Sequence, residues 1–259
     1  MAILGAVIVP HPPLIIPAVG RGREQEVQAT IDAYRTAAKQ VAAWEPEVLI
    51  ITSPHQIMYA DYFHISPGRG ATGDMSAFGA SGTKLRLEYD AQLRDEIIRC
   101  GEPADLRVGI LGQRDPYLDH GTFVPLYFLR EAGVDCPILR IGLSGFSPLD
   151  HYRLGQCIAQ AVETLGRRAV FIASGDLSHK LKDDGPYGFA QRGRSLTTRS
   201  PRLWQKVISS NSSPRTPPSV TGRRSAACAP SRSWPGRWTA WAWSRSCSAM
   251  RASPAWDMA

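Results

Sequence analysis

The stretch AILGAVIV (residues 2–9) is an uninterrupted apolar run, the pattern of a strand buried on both faces of a sheet. Three segments farther along the chain share this pattern: EVLIITS (47–53), PILRIGL (137–143) and RAVFIAS (168–174). Strands that are covered on both faces occur in parallel sheets with helices packed on each side. The four runs therefore predict the centre of an α/β sheet.

Segments with helical periodicity separate these strands. In residues 24–44, for example, Val27, Ile31 and Tyr34 recur at helical spacing among polar residues. The pattern as a whole predicts one α/β domain over residues 1–191, with a largely parallel or mixed central sheet flanked by helices. The other predicted helices are 90–100, 120–132 (capped by Asp119 or Thr122) and 148–166, and the shorter strands are 62–66, 83–89 and 106–111.

The composition changes abruptly near Gln191. Residues 1–191 carry 22 acidic and 18 basic residues, a formal charge of -4, whereas residues 192–259 carry one acid, Asp257, and 12 basic residues. The same tail holds 14 serines and six of the seven tryptophans. The net charge of +7 is thus a property of the tail alone, and it is no evidence that the domain binds nucleic acid or an anionic membrane.

The tail has the composition that GC-rich coding DNA gives in a wrong reading frame. Synonymous codons shifted by two bases permit AECGLRSF for RRSAACAPS (223–231), and the same offset gives acid-rich, helix-patterned sequence over most of the tail. We therefore interpret 192–259 as a frameshifted, poorly ordered segment. The alternative, a genuine basic tail that binds nucleic acid, lacks any recognisable nucleic-acid module.

Several other classes of protein are not favoured. No run of about 18 apolar residues predicts a membrane span, and the N-terminus lacks the basic region of a signal peptide, so a cytoplasmic protein is expected. The five cysteines form no CxxC pair, which favours free thiols. The segment GRGATG (68–73) predicts a flexible loop, because it does not lead from a strand into a helix as a dinucleotide-binding turn does.

Three histidines follow buried strands. His11 comes after 2–9, His55 after 47–53 and His179 after 168–174, and prolines flank the first two. A fourth, His120, stands at the start of a predicted helix. Ligands of parallel α/β sheets bind at the carboxyl edge of the strands, and two histidines with one carboxylate form the usual site of oxygen-activating non-haem Fe(II). A metal or catalytic site at this edge is therefore predicted.

The alternative for each histidine is an ordinary loop or capping residue. Asp176, in SGDLSH, is a candidate to orient His179. His64 is interpreted as a sheet-face residue and His151 as a surface residue. Turn or cap residues are the first interpretation of three further aspartates, with lining of the site as the alternative: Asp61, Asp115 and Asp119.

Four motifs in order, VIVPHPPL, SPHQIMYADYFHIS, LDHGTFVPLYFL and ASGDLSHKLKDDGPYGFA, resemble the class III (LigB-type) extradiol dioxygenase family. The resemblance is strongest to the branch known as AmmeMemoRadiSam system protein B, related to the Memo proteins, and covers about residues 1–191. It implies that His11 and His55 bind Fe(II) and that His179 and His120 face the substrate. The implied reaction is O2-dependent ring cleavage of a catechol, with His179 acting first as base and then as acid.

The family's third metal ligand, a glutamate or a cysteine, comes from the C-terminal region. Positions 224–226 read Arg-Ser-Ala, so this ligand is missing as translated, and Cys228 is no credible substitute. Three hypotheses follow: an Fe(II) extradiol dioxygenase acting on a small aromatic diol, a non-catalytic Memo-like module that binds a metal or a peptide, and a truncated inactive product. No nucleic-acid or membrane partner is expected, and the oligomeric state, including a homo-oligomer, stays open.

Overall fold

A computed structural model describes residues 3–184 and 187–195. Its centre is a four-stranded sheet in the order β1-β8-β2-β7, in which every neighbouring pair is parallel. This confirms the predicted α/β class and the four central strands: β1 (Ile3–Val9), β2 (Val48–Ser53), β7 (Ile138–Gly142) and β8 (Ala169–Ser174).

Helices cover both faces of the sheet, and alternate strand residues divide between two hydrophobic clusters. Ile51 belongs to the cluster under α2 (Gln28–Ala43) and α4 (His120–Glu131), and Ile50 belongs to the one under α3 (Ala91–Gly101) and α5 (Pro148–Thr164). Both side chains are fully buried, and each such burial contributes about 1.5–3 kcal/mol. Because both faces are covered, these strands read as continuous apolar runs. A short helix, α1 (Pro17–Gly20), precedes α2.

Two small sheets lie beside the main one. A parallel pair joins β3 (Phe63–His64) to β6 (Val108–Gly109), and an antiparallel pair joins β4 (Gly70–Met75) to β5 (Ala80–Glu88). The predicted loop at 68–73 was therefore wrong from Gly70 onward. Glycine serves close packing here: a Cβ at Gly73 would stand 2.7 Å from the Cβ of Leu118.

Other differences from the sequence prediction concern boundaries. The strands predicted over 62–66 and 106–111 shrink to two residues each, because only those residues pair with each other in register. The helix predicted over 24–44 begins as a 3-10 turn at Arg23–Val27. Asp119, and not Thr122, caps α4, and its carboxylate accepts a hydrogen bond from the Thr122 amide.

Within residues 3–184 and 187–195, no helix is long and apolar enough to cross a bilayer. Cys100, Cys136 and Cys157 are free thiols in this part of the chain, as expected. The predicted frameshifted tail lies outside the described residues from position 196 onward, and so do Cys228 and the positions 224–226.

Candidate metal centre

Three histidines converge at the carboxyl edge of the main sheet. His11 lies two residues beyond β1, His55 lies two residues beyond β2, and His120 is the first residue of α4. One ring nitrogen of each lies within 4.8 Å of those of the other two. The cluster forms because β1, β8 and β2 are adjacent and parallel, so that the loops after them open on the same edge.

The tautomer of His11 follows from its hydrogen bonds. Its Nδ1 lies 2.9 Å from the hydroxyl of Ser174 at the end of β8, and that hydroxyl donates its proton to the carbonyl of Gly121 at 2.5 Å. Since a serine hydroxyl has one proton, it must accept from His11, and Nδ1 carries the hydrogen. The Nε2 lone pair is then free, and it faces Nε2 of His55 at 3.0 Å.

His55 is held by Ser53, the last residue of the strand that precedes it, β2. The Ser53 hydroxyl accepts from the His55 amide at 3.1 Å and donates to Oδ1 of Asp119 at 2.6 Å. Asp119 is the cap of α4, so the same carboxylate fixes the helix turn that presents His120. Gly121 makes this approach possible, because a Cβ there would stand 3.1 Å from both the His55 ring and Oδ1 of Asp119. The first turn of α4 therefore connects all three histidines.

Burial lowers the pKa of two histidines of the cluster. Burial, followed by the nearby His55 and His11, lowers the pKa of His120 to about 4. Burial also lowers the pKa of His11, although Asp176 opposes the shift. Burial alone would raise the pKa of Asp119, but hydrogen bonds from Ser53 and Thr122 and the charge of Arg140 outweigh it and lower this pKa. Neutral imidazoles at physiological pH are the form that binds metals.

The donor set fits a divalent transition metal. Two cis ligands at metal–nitrogen distances of about 2.1 Å and a right angle lie about 3.0 Å apart, which is the separation of the His11 and His55 Nε2 atoms. Imidazole suits iron, zinc, copper and nickel, whereas Mg²⁺ and Ca²⁺ prefer oxygen ligands. The cluster has the chemistry of a transition-metal site.

Asp176 connects this cluster to His179. Its Oδ2 lies 3.3 Å from Nε2 of His179 and 3.6 Å from Nε2 of His11, and its Oδ1 accepts from the His11 amide at 3.3 Å. The Asp176 side chain is buried, while that of His179 is 36% exposed and packs against the ring of Tyr187 at 5.0 Å. A buried carboxylate with an accessible imidazole is an arrangement that can take up and release a proton.

The other candidates from the sequence lie elsewhere or have structural roles. Asp61 forms an exposed ion pair with Arg107. Asp115 accepts from the Tyr117 amide, as a turn residue does. His64 lies in β3 and is buried, where burial and the charge of Arg140 lower its pKa. His151 was predicted at the surface, but it is half-buried, because its ring packs on Phe63 at 4.9 Å.

Sequence reasoning missed the residues that hold the histidines in place. Ser53, Ser174 and Gly121 are small residues at element ends, and nothing in their local pattern marks them. Arg140 did leave a signal, because it is the one charged residue inside the apolar run PILRIGL, and a charge inside a doubly covered strand requires a partner.

The parallel sheet, its flanking helices and the clustered histidines at its carboxyl edge define the class of protein. It is an α/β protein with a candidate metal site. The chain belongs to the family of the catalytic LigB subunit of aromatic ring-opening dioxygenases, whose family model matches residues 5–208.

Two relatives illustrate the similarity. Protein CA_C1420 of Clostridium acetobutylicum is 35% identical over 203 residues, covering 76% of this chain and 43% of its own length. A 2,3-dihydroxyphenylpropionate/2,3-dihydroxicinnamic acid 1,2-dioxygenase of Escherichia coli is 29% identical over 169 residues, covering 60% of this chain and 51% of its own length. The chain spans about half the length of the curated relatives it matches. The Memo-like branch and the frameshift stay predictions.

Proposed function

We propose that this chain is an Fe(II)-dependent extradiol dioxygenase, which uses O2 to open the ring of a small catechol-type diol. The observation that carries the proposal is the convergence of His11, His55 and His120 on one edge of a LigB-family domain. The name of the Escherichia coli relative, a dioxygenase of dihydroxylated aromatic acids, supports the substrate class.

In this proposal His11 and His55 hold the metal through Nε2. Ser174 fixes the protonated Nδ1 of His11, which leaves Nε2 unprotonated toward the site. When bound, Fe(II) supplies redox chemistry between diol and O2 that Zn²⁺, which has no redox chemistry, does not supply. The third ligand that the resemblance implies is missing at positions 224–226 as translated, so a truncated, inactive product is the competing hypothesis.

His179 is the proposed acid–base residue. Its ring is partly exposed and open to a substrate, and Asp176, which contacts Nε2, stabilises the imidazolium that forms when the opposite ring nitrogen takes a hydroxyl proton from the diol. The His179 imidazolium can give this proton back later in the reaction. His120 faces the substrate as a neutral imidazole, because its pKa of about 4 keeps it unprotonated at neutral pH.

The test is oxygen consumption by the full chain with catechol and 2,3-dihydroxyphenylpropionate after anaerobic loading with Fe(II). We expect diol-dependent uptake that falls by about 100-fold or more in His179→Ala, the scale of general acid–base catalysis. His151→Ala is the matched control, because His151 lies on α5 and outside the cluster.

The outcomes separate the hypotheses. Metal binding without turnover of any diol would contradict the dioxygenase proposal and leave the Memo-like binding module and the truncated inactive product. Cooperative thermal unfolding of the full-length chain would then favour the Memo-like module. The metal affinity of His120→Ala decides the role of this residue. An unchanged affinity supports a substrate-facing histidine, and a loss comparable to that of His11→Ala makes His120 a metal ligand.

A further inference from the structure

Arg140 is a charged side chain within the last strand of the main sheet. It lies on β7 and is 1% exposed. Its Nη1 donates to the hydroxyl of Tyr89 at 3.2 Å and to the carbonyl of Tyr117 at 3.1 Å, and its Nη2 donates to Oδ2 of Asp119 at 3.2 Å. The guanidinium thus ties the segment before α4 to the edge of the sheet.

These contacts end at the carboxylate that organises the histidine cluster. Oδ1 of Asp119 accepts from the Ser53 hydroxyl and the Thr122 amide, and Oδ2 accepts from the Thr122 hydroxyl at 2.7 Å and from Arg140. Ser53 in turn accepts from the His55 amide. A continuous chain of hydrogen bonds therefore runs from Arg140 through Asp119 to His55, and through the first turn of α4 to His120.

Stability alone accounts poorly for this arginine. Buried ion pairs contribute little net stability, because desolvation offsets the attraction between the charges. Among the described residues, Nε of Arg140 is also buried without a hydrogen-bond partner, which is unfavourable. A well-packed apolar side chain would suit a doubly covered strand better.

We infer that Arg140 is a positioning residue for the metal centre, which sets the geometry of His55 and His120 by holding Asp119. The inference rests on the proposed function, because it assumes that the histidine cluster binds a metal. Outer partners of ligating histidines fix the orientation of the rings, and their loss commonly costs about 10–100-fold in metal affinity.

Arg167 provides a matched control within the same chain. Its Nε lies 3.4 Å from Oδ2 of Asp90, and Asp90 caps α3 as Asp119 caps α4. The arginine–cap pair is therefore repeated on a helix that carries none of the clustered histidines. Arg167→Lys and Arg167→Met test the general effect of removing such an arginine.

The experiment measures Co²⁺ affinity and the Co²⁺ visible spectrum of the full chain, with cooperative thermal unfolding as the test of folding. Arg140→Lys keeps the charge but loses the planar fork. We expect Arg140→Lys to melt cooperatively, to bind Co²⁺ about 10-fold more weakly and to alter its spectrum, with a larger loss in Arg140→Met. Both Arg167 variants should retain wild-type affinity and spectrum.

Wild-type affinity and an unchanged spectrum in a folded Arg140→Lys would overturn the inference and leave the proposed function intact. Loss of cooperative unfolding in both Arg140 variants would also overturn it, because the arginine would then serve the fold and not the site. If the wild type binds no Co²⁺ or Fe²⁺, the proposed function fails, and the positioning role fails with it.

Discussion

The N-termini of α3 and α4 are built alike but differ in their surroundings. Each helix starts after an aspartate whose carboxylate accepts an amide three residues on, and each aspartate contacts an arginine. The two caps are equally buried, with Asp90 8% and Asp119 9% exposed, whereas Arg167 is 35% and Arg140 1% exposed. Only the α4 cap leads on to histidines. The same kind of cap therefore only starts the helix at α3, whereas at α4 it also organises a candidate metal centre.

The largest expected difference between the two helices is the loss of stability when the capping aspartate is removed. Asp119→Ala removes the nearer carboxylate partner of the buried Arg140 and leaves the weaker contact with Asp115 at 3.8 Å, so we expect a loss of about 3 kcal/mol in the free energy of unfolding. Asp90→Ala should cost about 1 kcal/mol, the usual value of a helix cap, because the half-buried Arg167 keeps its hydrogen bond to Gln92. Urea unfolding of both variants measures this contrast, and equal losses would contradict it.

A smaller difference in stability is expected from substitutions two residues after each cap. Gly121→Ala would press its methyl group against Ser53 and the His55 ring, at an expected cost of about 1–3 kcal/mol with a loss of metal affinity. Gln92→Ala, at the corresponding position of α3, should change stability by less than about 0.5 kcal/mol. Thermal unfolding and Co²⁺ titration test the pair, and wild-type metal binding by a folded Gly121→Ala would contradict the account.

The smallest expected effect is on the pH dependence of stability. The pKa of His120 is about 4 in the fold and 6.5 in the unfolded chain. Above pH 6.5 the residue is neutral in both states. As the pH falls from 6.5 toward 4 the unfolded chain takes up the proton first, so the free energy of unfolding decreases across this window.

Urea unfolding of metal-free protein between pH 7 and pH 4 measures this effect. In His120→Gln the decrease should be shallower, and the remaining slope belongs in part to His11, whose pKa is lowered as well. A His120→Gln protein with the wild-type slope would contradict the assignment.

The elements that could be predicted from the sequence are those with a regular hydrophobic pattern. Apolar runs located the four central strands, and the residues after them located His11 and His55. The strand β5 was predicted at 83–89, but its partner β4 was missed, because glycines such as Gly70 and Gly73 are typical of loops, while here they allow close packing. The links through Ser53, Ser174 and Gly121 could not be predicted, because they depend on which strands become neighbours, and no local pattern encodes the order β1-β8-β2.

The proposed function depends on metal binding by the histidines at this sheet edge. Anaerobic Fe(II) titration of the full chain, beside His11→Ala and His151→Ala, measures that binding. We expect a specific site in the wild type and in His151→Ala that is lost in His11→Ala. Absence of a site in the wild type, or a site that survives in His11→Ala, would contradict it.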